Sequence, residues 1–196
     1  MFIVITGLDG TGTSSIAEGL HNIDKNSILV RTPSYEYSDR KVIDEQVREI
    51  SPMAHCLYYL SSVVFMSDKI QKSFDYKNNN VYCVRYLLDT VVSNSSSGID
   101  IDYNYNVLGK KILKPDLTIF VYCDENIRQA RIQKRGKDSL DIALDNDEKR
   151  QAFISKFDTL LDPNKTIFVN NNTNLDKIIK NCFKQIKNYT KGLEQK

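Results

Sequence analysis

A five-residue run, Phe2–Thr6, ends at Gly7, and Gly12 follows after four residues. Phe, Ile and Val in a short unbroken run suit a strand buried on both faces, and glycines directly behind it let the chain turn tightly. The spacing is that of the pattern G-x-x-x-x-G-K-[ST], in which backbone N–H groups and the N-terminus of the next helix cradle a phosphate. One letter departs from it. Thr13 stands where the pattern has lysine, and Ser14 keeps the hydroxyl position. Gly7, Asp9, Gly10, Thr11, Gly12, Thr13, Ser14 and Ser15 are therefore the expected contacts of a phosphate-bearing cofactor, with Ser14 the expected ligand of Mg²⁺. A carboxylate beside phosphates is electrostatically awkward, so Asp9 is expected to face an acceptor, on a hydroxyl, rather than the anion.

Composition narrows the class. A chain of 196 residues suits one domain with one sizeable core. A net charge of +2 is too small to argue for nucleic acid or a membrane surface. No apolar run approaches the roughly 20 residues of a spanning helix, and the N-terminus has no basic segment of the signal-peptide type. A cytoplasmic protein without nucleic-acid or membrane partners is the expectation. Cys56, Cys83, Cys123 and Cys182 match no metal-ligand spacing, and Cys83 and Cys123 read as buried free thiols. His21 and His55 read as surface or half-buried helix residues.

Strand-like runs at 2–6, 28–31, 81–85, 117–123 and 166–170 alternate with helical patterns, which predicts βαβ units and a mostly parallel five-stranded sheet. Ser38 or Asp39 is placed to cap a helix reaching Ile50, with Val42, Ile43, Val47 and Ile50 on one face. Ser51-Pro52 is a helix start, opening a long apolar helix to about Phe74 that suits a core position or a subunit interface. Residues 94–105 read as a polar loop and Val107–Leu113 as a short helix ahead of Pro115. Helices are expected at 125–134, up to Leu161 after a charged segment 135–147, and at 175–189.

Phe2-Ile-Val-Ile-Thr-Gly-Leu-Asp-Gly-Thr-Gly is similar to the opening of thymidylate kinases, whose loop reads G-L-D-G-x-G-K-[ST]-[ST]. Pro115-Asp116-Leu117-Thr118 matches that family's P-D-L-T. Ala130-Arg131-Ile132-Gln133-Lys134-Arg135-Gly136 resembles the helix end entering its phosphate-covering lid. The resemblance runs over the whole length and implies a three-layer P-loop NTPase fold, α/β, with a five-stranded parallel sheet flanked by helices. It implies one domain over residues 1–196 with a mobile lid around 131–147, and pairing through helices into a homodimer.

The departures fall where chemistry is done. The family's D-R-Y at the end of the third strand is Val84-Arg85-Tyr86 here, so the arginine and tyrosine persist and the acid does not. Aligned on Arg85, the family's serine and A-Y-Q become Asp89 or Thr90 and Val92-Ser93-Asn94. The arginine of its A-D-R aligns with Lys69 in Ser67-Asp68-Lys69, and its T-R-E-P appears as Arg31-Thr32-Pro33. The resemblance thus implies a kinase moving the γ-phosphoryl group of ATP to a (deoxy)nucleoside monophosphate, dTMP the first candidate. On that reading Asp9 and Arg85 position the acceptor, Lys69 takes its phosphate, Phe65 and Tyr86 flank its base, and Asn94 offers it an amide on a shorter arm. Arg131 and Arg135, with Lys137, supply the charge missing at Thr13. Two alternatives accompany this reading. One is a nucleotide-binding fold without turnover, acting as a sensor or partner subunit, motivated by loss of both lysine and acid; the other is a kinase of a nucleoside or another small phosphorylated acceptor, motivated by Asp89–Asn94.

Overall fold

The computed structural model describes residues 1–38, 40–137 and 139–194. Its centre is a parallel sheet in the order β2-β3-β1-β6-β7, formed by β1 (Phe2–Thr6), β2 (Ser27–Arg31), β3 (Asn80–Val84), β6 (Leu117–Tyr122) and β7 (Thr166–Asn170). Period-2 alternation sends neighbouring side chains of a strand to opposite faces, so each face has its own core. Ile3 and Ile5 of β1, with Ile119 and Val121 of β6, pack under α1 (Thr13–Ile23) and α9 (Leu175–Glu194). Phe2 and Val4, with Val81 and Cys83 of β3, pack under α4 (Pro52–Ser73) and α5 (Leu87–Ser95). Burial of both faces explains why β1 and β6 read as near-continuous apolar runs. The Asp116 carboxylate accepts the Phe2 N–H at 2.7 Å, pinning the start of β1 to the segment before β6.

Central β1 pairs with β3 on one side and β6 on the other, so the chain winds in both directions from it. In such a sheet a crevice opens beyond the carboxyl ends of the strands where the winding reverses. The glycine loop, Arg85 after β3 and Asn171 after β7 all stand there.

The remaining elements are α2 (Arg40–Val42), a π-helical turn (Ile43–Val47), α3 (Arg48–Ile50), α6 (Glu125–Arg135), α7 (Ser139–Ala143) and α8 (Asp147–Leu160). Two expectations fail among them. Val107–Leu113 is no helix but an antiparallel hairpin, β4 (Asn106–Val107) with β5 (Lys110–Lys111). Leu108 and Gly109 take φ of 48° and 81°, the left-handed pair that a two-residue hairpin turn requires. The apolar face drawn through Val42 and Ile50 is not buried; they are 51% and 86% exposed. The π turn adds a residue and rotates the helix away from the 3.6 period. Asp39, one of the two proposed caps, lies outside the described residues.

Ser51 caps α4, accepting the Ala54 N–H at 3.2 Å, with Pro52 at the first helical position. Cys56, Cys83 and Cys182 are buried free thiols, whereas Cys123 is only partly covered. Among the described residues no helix is long and apolar enough to cross a membrane.

Candidate active site

The loop between β1 and α1 is held from outside by side chains. Arg128, itself 1% exposed, donates from Nη1 to the Asp9 carbonyl at 3.2 Å. Arg131 donates from Nη1 to the Gly10 and Thr11 carbonyls at 3.4 and 3.2 Å, and from Nη2 to the Asn171 carbonyl at 3.0 Å. The Asn171 amide reaches the Thr11 carbonyl at 2.7 Å. In a trans peptide the N–H points opposite to the C=O. Fixing the carbonyls of Asp9 and Thr11 outward therefore turns the Gly10 and Gly12 N–H groups the other way.

Gly12 is the N-cap of α1 at φ 97°, and a Cβ on it would lie 2.2 Å from the Asn171 amide nitrogen. Having no side chain, it cannot satisfy the first N–H groups of the helix, and the first turn carries no acid. Those donors and the positive end of the helix dipole are left for an anion. Thr13 is nearly buried at the start of α1, and the Ser14 and Ser15 hydroxyls make no hydrogen bond among the described residues. The hollow thus suits the phosphates of a nucleotide, with the Ser14 hydroxyl at its edge. No cluster of His, Cys, Asp or Glu among the described residues could hold a metal by itself, so a metal here would depend on the phosphates as well.

Across the hollow lies a chain of charges. Arg85 has a left-handed backbone, φ 64°, a strained conformation for a non-glycine residue. Its carbonyl accepts the Thr32 hydroxyl at 2.9 Å and its N–H donates to the Ile5 carbonyl at 2.9 Å, which hold the kink. The guanidinium lies between two carboxylates: Nη2 meets Asp9 at 2.6 Å and Nη1 meets Asp89 at 2.7 Å. Nη1 also donates to the Gly7 carbonyl at 3.2 Å. Arg85 holds the Asp9 carboxyl below its ordinary pKa, against the effect of burial, with Arg135 and Arg40 adding to the pull. Burial pushes the Asp89 carboxyl up, opposed by Arg85, the Thr6 hydroxyl and the Tyr86 N–H. Burial likewise disfavours the charge on Arg85, but Asp9 and Asp89 more than offset it and keep the group a cation.

The cleft of about 1290 Å³ runs on from the loop to walls formed by residues 31–33, α2, the π turn, α3, α4 and α5. One oxygen of Asp44 binds both His55 Nε2 at 3.0 Å and the Tyr59 hydroxyl at 2.6 Å. Arg40 packs over the Tyr59 ring, 6.0 Å from its centre. Arg31, Arg40, Lys41 and Arg48 line this end, and Nε of Arg48 is buried without a partner. His55, expected at the surface or half-buried, is 2% exposed.

Not every expected residue comes here. Phe65 and Lys69 lie away from the cleft walls, where Lys69 pairs with Glu36 at 2.8 Å and sits over the Phe65 ring. The aromatic that α4 does place on the cleft is Tyr59, six residues earlier. Asn94 is 1% exposed inside α5, its amide donating to the Thr90 carbonyl at 2.8 Å. Tyr86 borders the cleft but is 1% exposed, its ring edge-on to Phe2. Of the two lid arginines, Arg131 is engaged with loop carbonyls. Arg135 pairs with Asp141 at 2.5 Å and comes within 3.9 Å of Asp9. Lys137 pairs with Asp145 at 2.6 Å.

Sequence reasoning missed Arg128, Asn171, Arg40, Asp44, Arg48 and Tyr59. The i,i+3 step from Arg128 to Arg131 was a visible signal, as was the i,i+4 step from His55 to Tyr59. Nothing local marks Asn171, which acts across the sheet.

Comparison with known proteins agrees with this architecture. The family model described as Thymidylate kinase matches residues 5–182. A thymidylate kinase of Brachyspira hyodysenteriae is 27% identical over 143 residues, covering 68% of this chain and 69% of that protein. A probable thymidylate kinase of Methanococcus aeolicus is 26% identical, covering 94% and 95%. Among solved structures, the thymidylate kinase of Candida albicans superposes with a TM-score of 0.71 at 21% identity, covering 96% of this chain and 92% of that one. A deoxyadenosine kinase from M. mycoides, bound to dCMP and dCDP, gives a TM-score of 0.68 at 19% identity, covering 96% and 100%. At these identities the structural likenesses speak for the fold, while the family match spans most of the chain: the protein belongs to the thymidylate kinase family.

Proposed function

We propose that the protein is a nucleoside-monophosphate kinase, transferring the γ-phosphoryl group of ATP to a (deoxy)nucleoside monophosphate, with dTMP the first acceptor to test. The observation that carries this reading is Arg85, fixed between Asp9 of the loop and Asp89 of α5 at the boundary of the two halves of the cleft. A guanidinium has five N–H donors in a rigid fork. Three contacts engage Nη1 and Nη2, which leaves Nε–H and one Nη2–H free for two oxygens of a phosphate. Beyond it the cleft is lined by four more cations, a setting that suits an acceptor already carrying a phosphate better than a neutral nucleoside.

The residues divide the work by position. Donors of the loop and α1 hold the ATP phosphates, and Ser14 takes part in holding Mg²⁺, which neutralises charge on the transferring group. Arg85 orients the acceptor phosphate, with Arg40 close enough to act on both Arg85 and Asp9. Arg131 keeps the loop in shape, and Arg135, close to Asp9, supplies charge over the reacting phosphoryl when residues 131–147 close over it. Transfer of this kind depends on alignment and charge neutralisation more than covalent chemistry, so cations from other elements can serve where Thr13 replaces lysine. We further propose a homodimer through the exposed apolar side chains of Ile50, Met53 and Leu57, which sedimentation tests; a monomer at all concentrations overturns it.

The deciding experiment is phosphoryl transfer from Mg-ATP to a panel of ribo- and deoxynucleoside monophosphates, with unphosphorylated nucleosides alongside. Robust transfer to one monophosphate is the expected result. Transfer only to nucleosides, or ATP binding without transfer to any acceptor, overturns the reading.

A further inference from the structure

We propose that Asp89 is a positioning residue for the acceptor: from the first turn of α5 it supplies the carboxylate that the end of β3 lacks, and it sets the orientation in which Arg85 meets the acceptor phosphate. The inference rests on the reading of Arg85 given above.

Val84 precedes Arg85 and brings no charge to the site. Asp89 reaches the same guanidinium from four residues further on. Its Oδ1 accepts the Arg85 Nη1 at 2.7 Å and the Thr6 hydroxyl at 2.7 Å, and its Oδ2 accepts the Tyr86 N–H at 3.0 Å. Thr6 is fully buried at the end of the central strand, and Tyr86 is the N-cap of α5. The carboxylate is therefore tied to β1 and to the start of α5, and Arg85 inherits that fixed position.

The geometry matters because the other carboxylate on Arg85 belongs to the loop. Asp9 alone leaves the guanidinium with one ionic anchor, free to rotate about it and to turn the Nε–Nη2 edge out of the cleft. Asp89, with the Gly7 carbonyl, holds Nη1 and so fixes the guanidinium plane, leaving Nε–H and one Nη2–H uncommitted. A half-buried cation between two carboxylates is also better neutralised than one facing a single carboxylate.

Asp89 caps α5 as well, so the test must separate positioning from folding. Steady-state kinetics on the full chain, with ATP and the accepted monophosphate, would compare Asp89→Asn, Thr6→Val and Arg85→Ala. Asparagine keeps the volume and one oxygen, which can accept the Tyr86 N–H. Its NH2 then stands at the Oδ1 position, where it can donate to the Thr6 hydroxyl, but both the charge and the acceptor facing Arg85 are removed. For Asp89→Asn the acceptor KM rises about tenfold or more while the ATP KM stays within about twofold. Thr6→Val, which touches neither substrate, raises the acceptor KM by a smaller factor with the same selectivity. An unchanged acceptor KM in Asp89→Asn, or both KM values rising in parallel, overturns the proposal. Should Asp89→Asn fail to fold, Thr6→Val decides alone, and an unchanged acceptor KM in it overturns the proposal. Arg85→Ala separates the two levels. If it leaves the acceptor KM unchanged, the reading of Arg85 is wrong; if it raises the KM and Asp89→Asn does not, only the positioning role falls.

Discussion

At the loop end of the cleft the donors are main-chain N–H groups, aligned because Arg128, Arg131 and Asn171 hold the carbonyls behind them. At the other end, the one proposed for the acceptor, the lining is side chains brought from α2, the π turn, α3, α4 and α5, among them Arg40, Asp44, Arg48, Tyr59 and Ser93. The first arrangement depends on glycines at fixed spacing and tolerates side-chain exchange, which is how Thr13 can stand in a lysine position without altering the fold. The second depends on which side chains face inward, and it can change acceptor without changing architecture. Arg85 joins the two.

Four changes would break or sharpen that contrast. The largest effect is expected for Arg85→Ala, because it removes the group both halves share: kcat/KM for the acceptor should fall about 10²–10³-fold. ATP affinity, measured by titration, should stay nearly unchanged, and an equal loss for both substrates would argue that the halves are not separable. Gly12→Ala attacks the backbone end. Its φ of 97° and the 2.2 Å approach to Asn171 force strain, costing about 1–3 kcal/mol of stability in a denaturant titration, with a weakened ATP site. A stable variant with normal ATP binding would show that the loop is not preset by Asn171.

Asp9→Asn probes electrostatics through pH. Arg85 depresses the Asp9 pKa, so the stabilisation from their pairing is present above the ordinary Asp value near ~3.9 and is lost as pH falls through the folded-state value. Wild type should therefore exceed Asp9→Asn in urea midpoint at pH 7, and the gap should narrow at pH 3. A gap independent of pH would remove Arg85 as the cause. The smallest effect is predicted for Lys69→Ala, which should leave the acceptor KM within about twofold, because its partner is the exposed Glu36 and not the cleft. A large rise would restore the acceptor role expected from the aligned motif.

The loop end was legible because its physics is local: an apolar strand, three glycines and a helix start within fifteen residues. The sheet was legible for the same reason, since both-face burial leaves unbroken apolar runs at Phe2–Thr6 and Leu117–Tyr122. The acceptor end was not. Phe65 and Lys69 match a motif by letter, yet α4 presents Tyr59 to the cleft, and the choice of face on a helix apolar on several sides is made by tertiary packing. The π turn at Ile43–Val47 defeats a 3.6-residue reading of Val42 and Ile50, and the hairpin at Leu108–Gly109 was hidden by its short strands. Asp89 was visible as a substituted letter, but its role needed Thr6 and Arg85 in space.

The clamp behind the loop has a thermodynamic consequence. A flexible glycine-rich segment ordinarily loses conformational entropy when a ligand orders it. Here Arg128, Arg131 and Asn171 impose that order during folding, so the nucleotide meets a rigid receptor. Ordering that binding no longer has to bring about works in the opposite direction to the attraction forgone at Thr13.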